Sequence, residues 1–320
     1  MNKLIDDYEE EFLPYNGIRT FFNFEYGNDL NGKDVAFLGI PFDTGTKYCS
    51  GGRFGPKILR NYPCYGQGYN MNMKVSTREL KGIDMGDLKI INGYMTETYN
   101  RIEKAIFKII RVGVIPIIVG GDKTICYATL AAYKKQYGTV AMIKFGADID
   151  EQIDYEHKEN LLFRAVEQKM VDPNKVIQIG VRNNRAKNEC YSYRVGGITT
   201  LSMDETRLIE EGVQYLDFII KEIKKVVGNT PCLVSFDLGF LEPAFAPAVA
   251  SPQIGGLSSW ETIYILENAL IGLNIKGFDV VNIIPKDDSN ELTAQVAGSV
   301  LSIYLSVIAK NKSKQESCYF

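Results

Sequence analysis

Six short apolar runs govern what this chain can become: DVAFLGI (34–40), VIPIIVGG (114–121), TVAMIKFG (139–146), KVIQIGV (175–181), PCLVSFDLG (231–239) and FDVVNII (278–284). None alternates strictly between apolar and polar residues, as a strand with one wet face does. Near-continuous apolarity instead marks parallel strands covered on both faces. The stretches 96–112, 124–137, 204–226, 259–273 and 290–310 carry apolar residues at helical spacing. Strand alternating with helix predicts a doubly wound α/β chain with a mainly parallel sheet. No Gly/Ser/Pro-rich linker and no internal repeat interrupts the order. The expectation is a single domain over 1–320, with an N-terminal extension (1–33) and a C-terminal tail (311–320).

The bulk properties remove several function classes. Formal net charge is −3 and the basic residues are scattered, so no nucleic-acid or membrane-surface footprint is present. No apolar stretch is expected to approach the roughly 20 residues of a membrane span. The opening MNKLIDDYEEEFLPYNG is acidic and lacks the apolar core of a signal peptide. The six cysteines (Cys49, Cys64, Cys126, Cys190, Cys232, Cys318) are far apart, with no Cys-x-x-Cys pair. That spacing argues against a zinc cage or a disulfide framework and fits a reducing cytosol. His157 is the single histidine, a poor supply of imidazole for metal binding or general-base work.

Two loops stand out by length, PFDTGTKYCSGGRFGP (41–56) and FLEPAFAPAVASPQIGG (240–256), each following a strand. Loops of this size in a compact fold usually serve function. Neither has the glycine spacing and lysine of a phosphate loop, nor the dinucleotide fingerprint, so nucleotide binding is unsupported. Acids also gather where the third run ends, in GADID, with Asp148 and Asp150 at the carboxyl end of a predicted strand. Doubly wound sheets place their sites at those ends.

Taken in order, five segments resemble the ureohydrolase family of arginases and agmatinases, most closely its agmatinase branch. GIPFDTGTKYCSGGRFGPKILR is similar to the family's opening loop, IIVGGDKT to its Gly-Gly-Asp-His segment and KFGADID to Asp-Ala-His-x-Asp. SFDLGFLEPAFAPAVASPQIGGL is similar to Ser-Phe-Asp-x-Asp-x-Leu-Asp-Pro-x-x-Ala-Pro, and GFDVVNIIP…SNELTA to the closing Val-Val-Glu stretch. The resemblance spans about residues 34–310. It implies a three-layer αβα arginase-like fold with an eight-stranded, mainly parallel sheet. It also implies hydrolysis of a guanidinium group to urea by a hydroxide bridging two manganese ions, held by four aspartates and two histidines. Such ions lower the pKa of the bridging water and stabilise the charge of the tetrahedral intermediate.

Carried over position by position, the ligand set departs from that pattern. The histidine after Gly-Gly-Asp is Lys123; the first aspartate of Asp-Ala-His-x-Asp is Gly146, its histidine is Asp148, and its second aspartate is retained as Asp150. In SFDLG the first aspartate is retained as Asp237 and the second is Gly239. The guanidinium-binding glutamate is Asn282, and the loop His-Gly pair falls near Glu159-Asn160. Glycine offers no donor atom and a protonated lysine is a poor ligand. The reading is therefore of a remnant site without catalytic residues, formed by Lys123, Gly146, Asp148, Asp150, Asp237, Gly239 and Asn282.

Lys123 is expected to be a structural cation paired with Asp148, Asp150 or Asp237 rather than a catalytic or Schiff-base amine, because neighbouring carboxylates favour its charged form. No cofactor is expected; the alternative is one Mg²⁺ or Mn²⁺ held weakly by Asp148, Asp150 and Asp237. His157 reads as a solvated surface residue rather than a displaced proton shuttle. Cys49 and Cys126 read as ordinary thiols rather than nucleophiles. Arg53, Pro56, Asp84 and Asp87 fit a scaffold role.

Two functions stay open. One is a ureohydrolase-fold protein inactive in guanidinium hydrolysis, acting as a binding, regulatory or partner subunit in the cytoplasm. The alternative is a hydrolase of a guanidino or other C–N substrate with a remodelled or single-metal site. The resemblance implies a homo-oligomer, trimer or hexamer, with mixing into an active relative as a further option. The small-molecule ligand is unknown, and neither nucleic acid nor membrane is expected as a partner.

Overall fold

The apolar runs become strands with no wet face. In the computed structural model, residues 18–45, 49–61, 68–91, 93–148, 161–182, 192–209 and 214–316 are described. Strands β2 (Val35–Ile40), β7 (Val140–Phe145) and β11 (Cys232–Asp237) are buried at every position. Their neighbours are β5 (Gly82–Asp87), β6 (Ile115–Gly120), β8 (Val171–Val181), β10 (Ile198–Ser202) and β12 (Ile275–Val281). Two edge strands, β1 (Glu25–Tyr26) and β9 (Ser192–Val195), complete a sheet in the order β1-β5-β2-β6-β12-β11-β7-β8-β10-β9. A separate hairpin pairs β3 (Tyr69–Asn70) with β4 (Val75–Ser76).

From β5 to β10 the sheet is eight parallel strands, as the resemblance implied; β1 extends it in parallel and β9 runs antiparallel. The runs read from sequence supplied six of those eight. β5 (GIDMGD) and β10 (ITTLS) are not among them, because carboxylates, glycines and threonines mask their strand character. Their pairing with β2 and β8 overrides a weak local preference.

Helices cover both faces. On one lie α2 (Met95–Ile110), α3 (Ile125–Tyr137) and α4 (Leu161–Glu167), packed on Leu38, Ile118, Met142 and Leu233. On the other, α6 (Gln214–Val227), α7 (Ser259–Ala269) and α8 (Leu292–Glu316) bury Phe37, Ile143, Val234 and Phe278. Helix α2 aligns Ile102, Ile106, Ile109 and Ile110 on its inner face, and α6 aligns Leu216, Ile219 and Ile223. Each such side chain taken from water contributes about 1.5–3 kcal/mol before entropy is counted. A reciprocal capping box, Ser258 with Glu261, starts α7. The span 204–226, expected as one helix, contains α5 (Met203–Ile209) and α6 in its described part. The short α1 (Gly55–Asn61) follows the opening loop.

Two further expectations change. The stretch Ser289–Ser313, most of it in α8, has a mean hydropathy of 1.7 and is long and apolar enough by length and composition to cross a membrane, contrary to the sequence reading. Yet 72% of its most apolar part is buried in the fold, where Tyr304 stacks on Phe278 at 4.1 Å. It is a core helix. At the other end of the chain, Phe21, Phe22 and Phe24 all pack against the Phe37 ring, so this part of the N-terminal segment joins the core.

Candidate functional site

The strand order decides which loops meet. β6, β12, β11 and β7 are consecutive neighbours at the middle of the sheet, and all four run the same way. Lys123 follows β6, Asn282 follows β12, Asp237 ends β11, and Gly146 and Asp148 follow β7. Residues far apart in sequence are thereby brought to one carboxyl-end cleft.

The Gly-Gly-Asp segment fastens that cleft to the opening loop. A Cβ on Gly121 would lie 2.0 Å from the Phe42 carbonyl oxygen, so only glycine passes there. The Asp122 amide donates to the same carbonyl, and its carboxylate accepts from the Gly45 and Thr124 amides at 2.9 and 2.8 Å. Asp43 accepts from the Gly51 amide and from Arg53 Nε at 2.9 and 2.8 Å. Burial pushes its carboxyl up, but Arg53 and the amides outweigh this and hold it below its ordinary range. Asp84 accepts from Arg60 Nε at 2.7 Å and Asp87 from Arg60 Nη1 at 2.5 Å. Pro56 packs beside Gly39 and Asp87. These residues hold the loop and the strand ends.

Within the cleft Asp148 and Asp237 are engaged by protein donors. Lys123 Nζ donates to Asp148 Oδ2 at 2.7 Å, and Gln253 Nε2 donates to Asp148 Oδ1. Asp237 Oδ1 accepts from the Gly239 amide and from Asn282 Nδ2, both at 2.7 Å. Asn282 is itself fixed: it sits in the left-handed region (φ 72°), its amide N–H donates to Gly121 O, and its Oδ1 accepts from the Ala250 amide at 2.9 Å. Asparagine tolerates that conformation better than most side chains. Both ends of its side chain are therefore used inside the protein.

The electrostatics separate the two acids. For Asp148, burial raises the carboxyl, but the Lys123 ammonium and the Gln253 amide reverse the balance and leave it below its usual range. For Asp237, burial dominates over Lys123 and Asn282 and leaves it raised. Burial also takes Lys144 down to about 8 and Asp279 up to about 7.

As a metal cage the donor set fits badly. Gly146 and Gly239 offer no side-chain donor, Lys123 presents an ammonium, and both Asp148 oxygens and one Asp237 oxygen are already bonded. Among the described residues no group of three or more His, Cys, Asp or Glu is able to hold a metal ion. Asp150, His157, Glu159 and Asn160 lie outside the described residues. Burial pushes the Cys126 thiol far up, opposite to the shift an activated nucleophile needs, while Cys49 donates to Asp287 Oδ2 at 3.3 Å.

Sequence reading missed three participants. Lys144 lies inside the apolar run TVAMIKFG, where a lone lysine is the available signal. Arg182 and Gln253 gave none, since only the fold brings them to the cleft. The Arg182 guanidinium donates to the carbonyls of Gly180, Gly239, Phe240, Leu241 and Gln253, tying the 239–253 loop to the end of β8.

The Lys123–Asp148 pair is open to water, with side chains 37% and 44% exposed. Lys123→Ala is therefore expected to cost only about 0.2–1 kcal/mol, as exposed pairs do. Added Mg²⁺ or Mn²⁺ should recover part of that loss by taking the ammonium's place. Thermal melts with and without the ions check this; a loss well above that range would mean the pair is screened from solvent.

A parallel sheet under helices on both faces, with carboxylates at its central strand ends, defines an arginase-like αβα protein. The chain belongs to the arginase family, whose pattern it matches over residues 33–306. It is 31% identical over 286 residues to the human mitochondrial guanidino acid hydrolase, covering 87% of this chain and 79% of that one. It is 30% identical over 308 residues to the guanidinobutyrase of Pseudomonas aeruginosa, covering 93% and 94%. An agmatinase of Escherichia coli is 31% identical over 305 residues, again covering 93% and 94%. Among solved structures, a hypothetical agmatinase from Burkholderia thailandensis superposes with a TM-score of 0.84 at 28% identity, covering 95% of this chain and 93% of that one. Proclavaminate amidino hydrolase from Streptomyces clavuligerus gives 0.84 at 27%, covering 93% and 99%.

Proposed function

We propose that this chain is an agmatinase-like member of the arginase family that lacks the dinuclear manganese site, does not hydrolyse guanidinium groups, and serves as a binding, regulatory or partner subunit. The observation that carries this reading is the rewired cleft. Asp148 is held by Lys123 and Gln253, and Asp237 by Asn282. A water not activated by metal is a poor nucleophile, and a substrate not gripped by a carboxylate is not oriented for attack. Asn282 stands where the resemblance assigns the guanidinium-binding glutamate, and its amide carries no charge to pair with a guanidinium.

The test follows from the relatives' names. After incubation with Mn²⁺, the purified protein should contain no stoichiometric manganese and release no urea from agmatine, arginine or guanidinobutyrate. Sustained Mn²⁺-dependent urea release, above a control carrying Asp150→Ala and Asp237→Ala, would sink the reading. A second reading, a single divalent ion without urea formation, draws on the 44% exposure of Asp148 and the excess of carboxylates over ammonium groups. Metal analysis returning one ion per chain would favour it.

The partner role extends the same proposal. A homo-oligomer, or a mixed assembly with an active relative, is testable by light scattering alone and after co-expression with an agmatinase. Free thiols at Cys49, Cys126 and Cys232 suit a reducing compartment such as the cytosol.

A further inference from the structure

Lys144 is the single charged residue of β7, and it faces the α3 side of the sheet with Met142. In register with it are Gln178 on β8 and Ser235 on β11; beyond these lie Thr200 on β10 and Asp279 on β12. Register partners in a parallel sheet share a face. A polar row therefore crosses five strands where apolar side chains are the rule. Its members are all buried: Asp279 at 0% exposure, Gln178 and Thr200 at 1%, Ser235 at 4% and Lys144 at 6%. Ser235 Oγ donates to Asp279 Oδ1 at 2.7 Å, while Asp279 Oδ2 has no hydrogen-bond partner among the described residues.

This row lies one layer beneath the cleft. Two residues further along their strands stand Gly146 and Asp237. A Cβ on Gly146 would meet Asp237 Cβ at 3.6 Å and Lys144 Cε at 3.9 Å, so the lysine stem climbs the strand toward the Asp237 side chain. Asp237 is 6% exposed, so two buried carboxylates and one buried ammonium stand on the same face of the sheet. Carboxylates placed there without a cation would carry a desolvation cost that their few neutral donors do not offset.

We propose that Lys144 is the resident counter-ion of the strand-end site, a positioning residue that compensates the charge of Asp237 and Asp279 from inside the sheet. The cationic charge the cluster needs then comes from the chain itself, with Lys123 at the mouth and Lys144 at the floor. This inference rests on the metal-free reading above and deepens it.

Denaturant unfolding of the full chain tests it as a double-mutant cycle. Lys144→Met keeps length and removes charge, and it should lower the unfolding midpoint. Adding Asp237→Asn or Asp279→Asn to Lys144→Met should raise the midpoint again, although each asparagine change alone lowers it. If Lys144→Met does not fold, recovery of folded protein on adding either asparagine change gives the same support. A Lys144→Met protein as stable as the parent, or double variants that lose the sum of the single losses or fail to fold, would overturn the proposal. The two readings fail separately. Manganese and urea in the parent protein refute the metal-free reading whatever the cycle shows, whereas a metal-free parent without coupling refutes only the counter-ion.

Discussion

Introducing four side chains, by Lys123→His, Gly146→Asp, Asp148→His and Gly239→Asp together, is expected to give a protein that binds Mn²⁺ with roughly micromolar affinity or better, on the order of 8 kcal/mol. Counting Asp150 and Asp237, the variant's sequence would then carry the four aspartates and two histidines that the resemblance assigns to the manganese site. The backbone leaves room at one glycine and less at the other. A Cβ at Gly146 meets its neighbours only at 3.6 Å and beyond. At Gly239 it would lie 3.0 Å from Asp237 Oδ1 and 3.4 Å from Asn282 Nδ2, so these side chains have to give by a few tenths of an ångström. Neither glycine has a positive φ, so neither substitution is barred by backbone strain. Without metal the variant should be less stable than the parent, because it adds carboxylates beside Asp237; Mn²⁺ should raise its melting temperature. Urea release should require Asn282→Glu in addition, and a histidine near Glu159–Asn160. Calorimetry decides the first step: a folded fourfold variant that takes up no Mn²⁺ would mean that these loops no longer aim side chains at a common point.

Arg182→Ala should destabilise the fold by about 3–5 kcal/mol, the largest loss expected of any single change in the cleft. The side chain is 4% exposed and its guanidinium reaches five backbone carbonyls on two segments. Burial lowers its pKa to about 10, which still leaves it charged at neutral pH. Truncation strips charged donors from buried carbonyls and leaves a cavity, and both effects act in the same direction. Arg182→Lys should recover little, since an ammonium has three donors and no planar fork to span both segments. Because Gln253 is one of the segments held, the Asp148–Gln253 bond should loosen as well. Equilibrium unfolding in denaturant gives the number; a loss below about 1 kcal/mol would show that the 239–253 loop is held by other contacts.

Much of this architecture was legible without coordinates. Buried parallel strands need apolar side chains on both faces, so β2, β6, β7, β8, β11 and β12 announced themselves, and the amphipathic α2 and α6 fell between them. The motif positions also placed Lys123, Asp148, Asp237 and Asn282 at strand ends, because a carboxyl-end site is fixed by where each run stops. What sequence lacked was everything set by neighbours in space. The strands β5 and β10 are made by their partners, since GIDMGD and ITTLS carry too little apolar signal to stand alone. The hydrogen bonding within the cleft was equally hidden. That Asn282 turns inward to Asp237 and Ala250 depends on a left-handed backbone and on a loop from a distant strand. The Lys144 row needed the register of five strands, and the Arg182 clamp needed two segments about 60 residues apart to fold against each other. Composition and periodicity report how each residue meets an average environment; charge compensation and hydrogen bonding depend on particular neighbours, and only the folded chain supplies them.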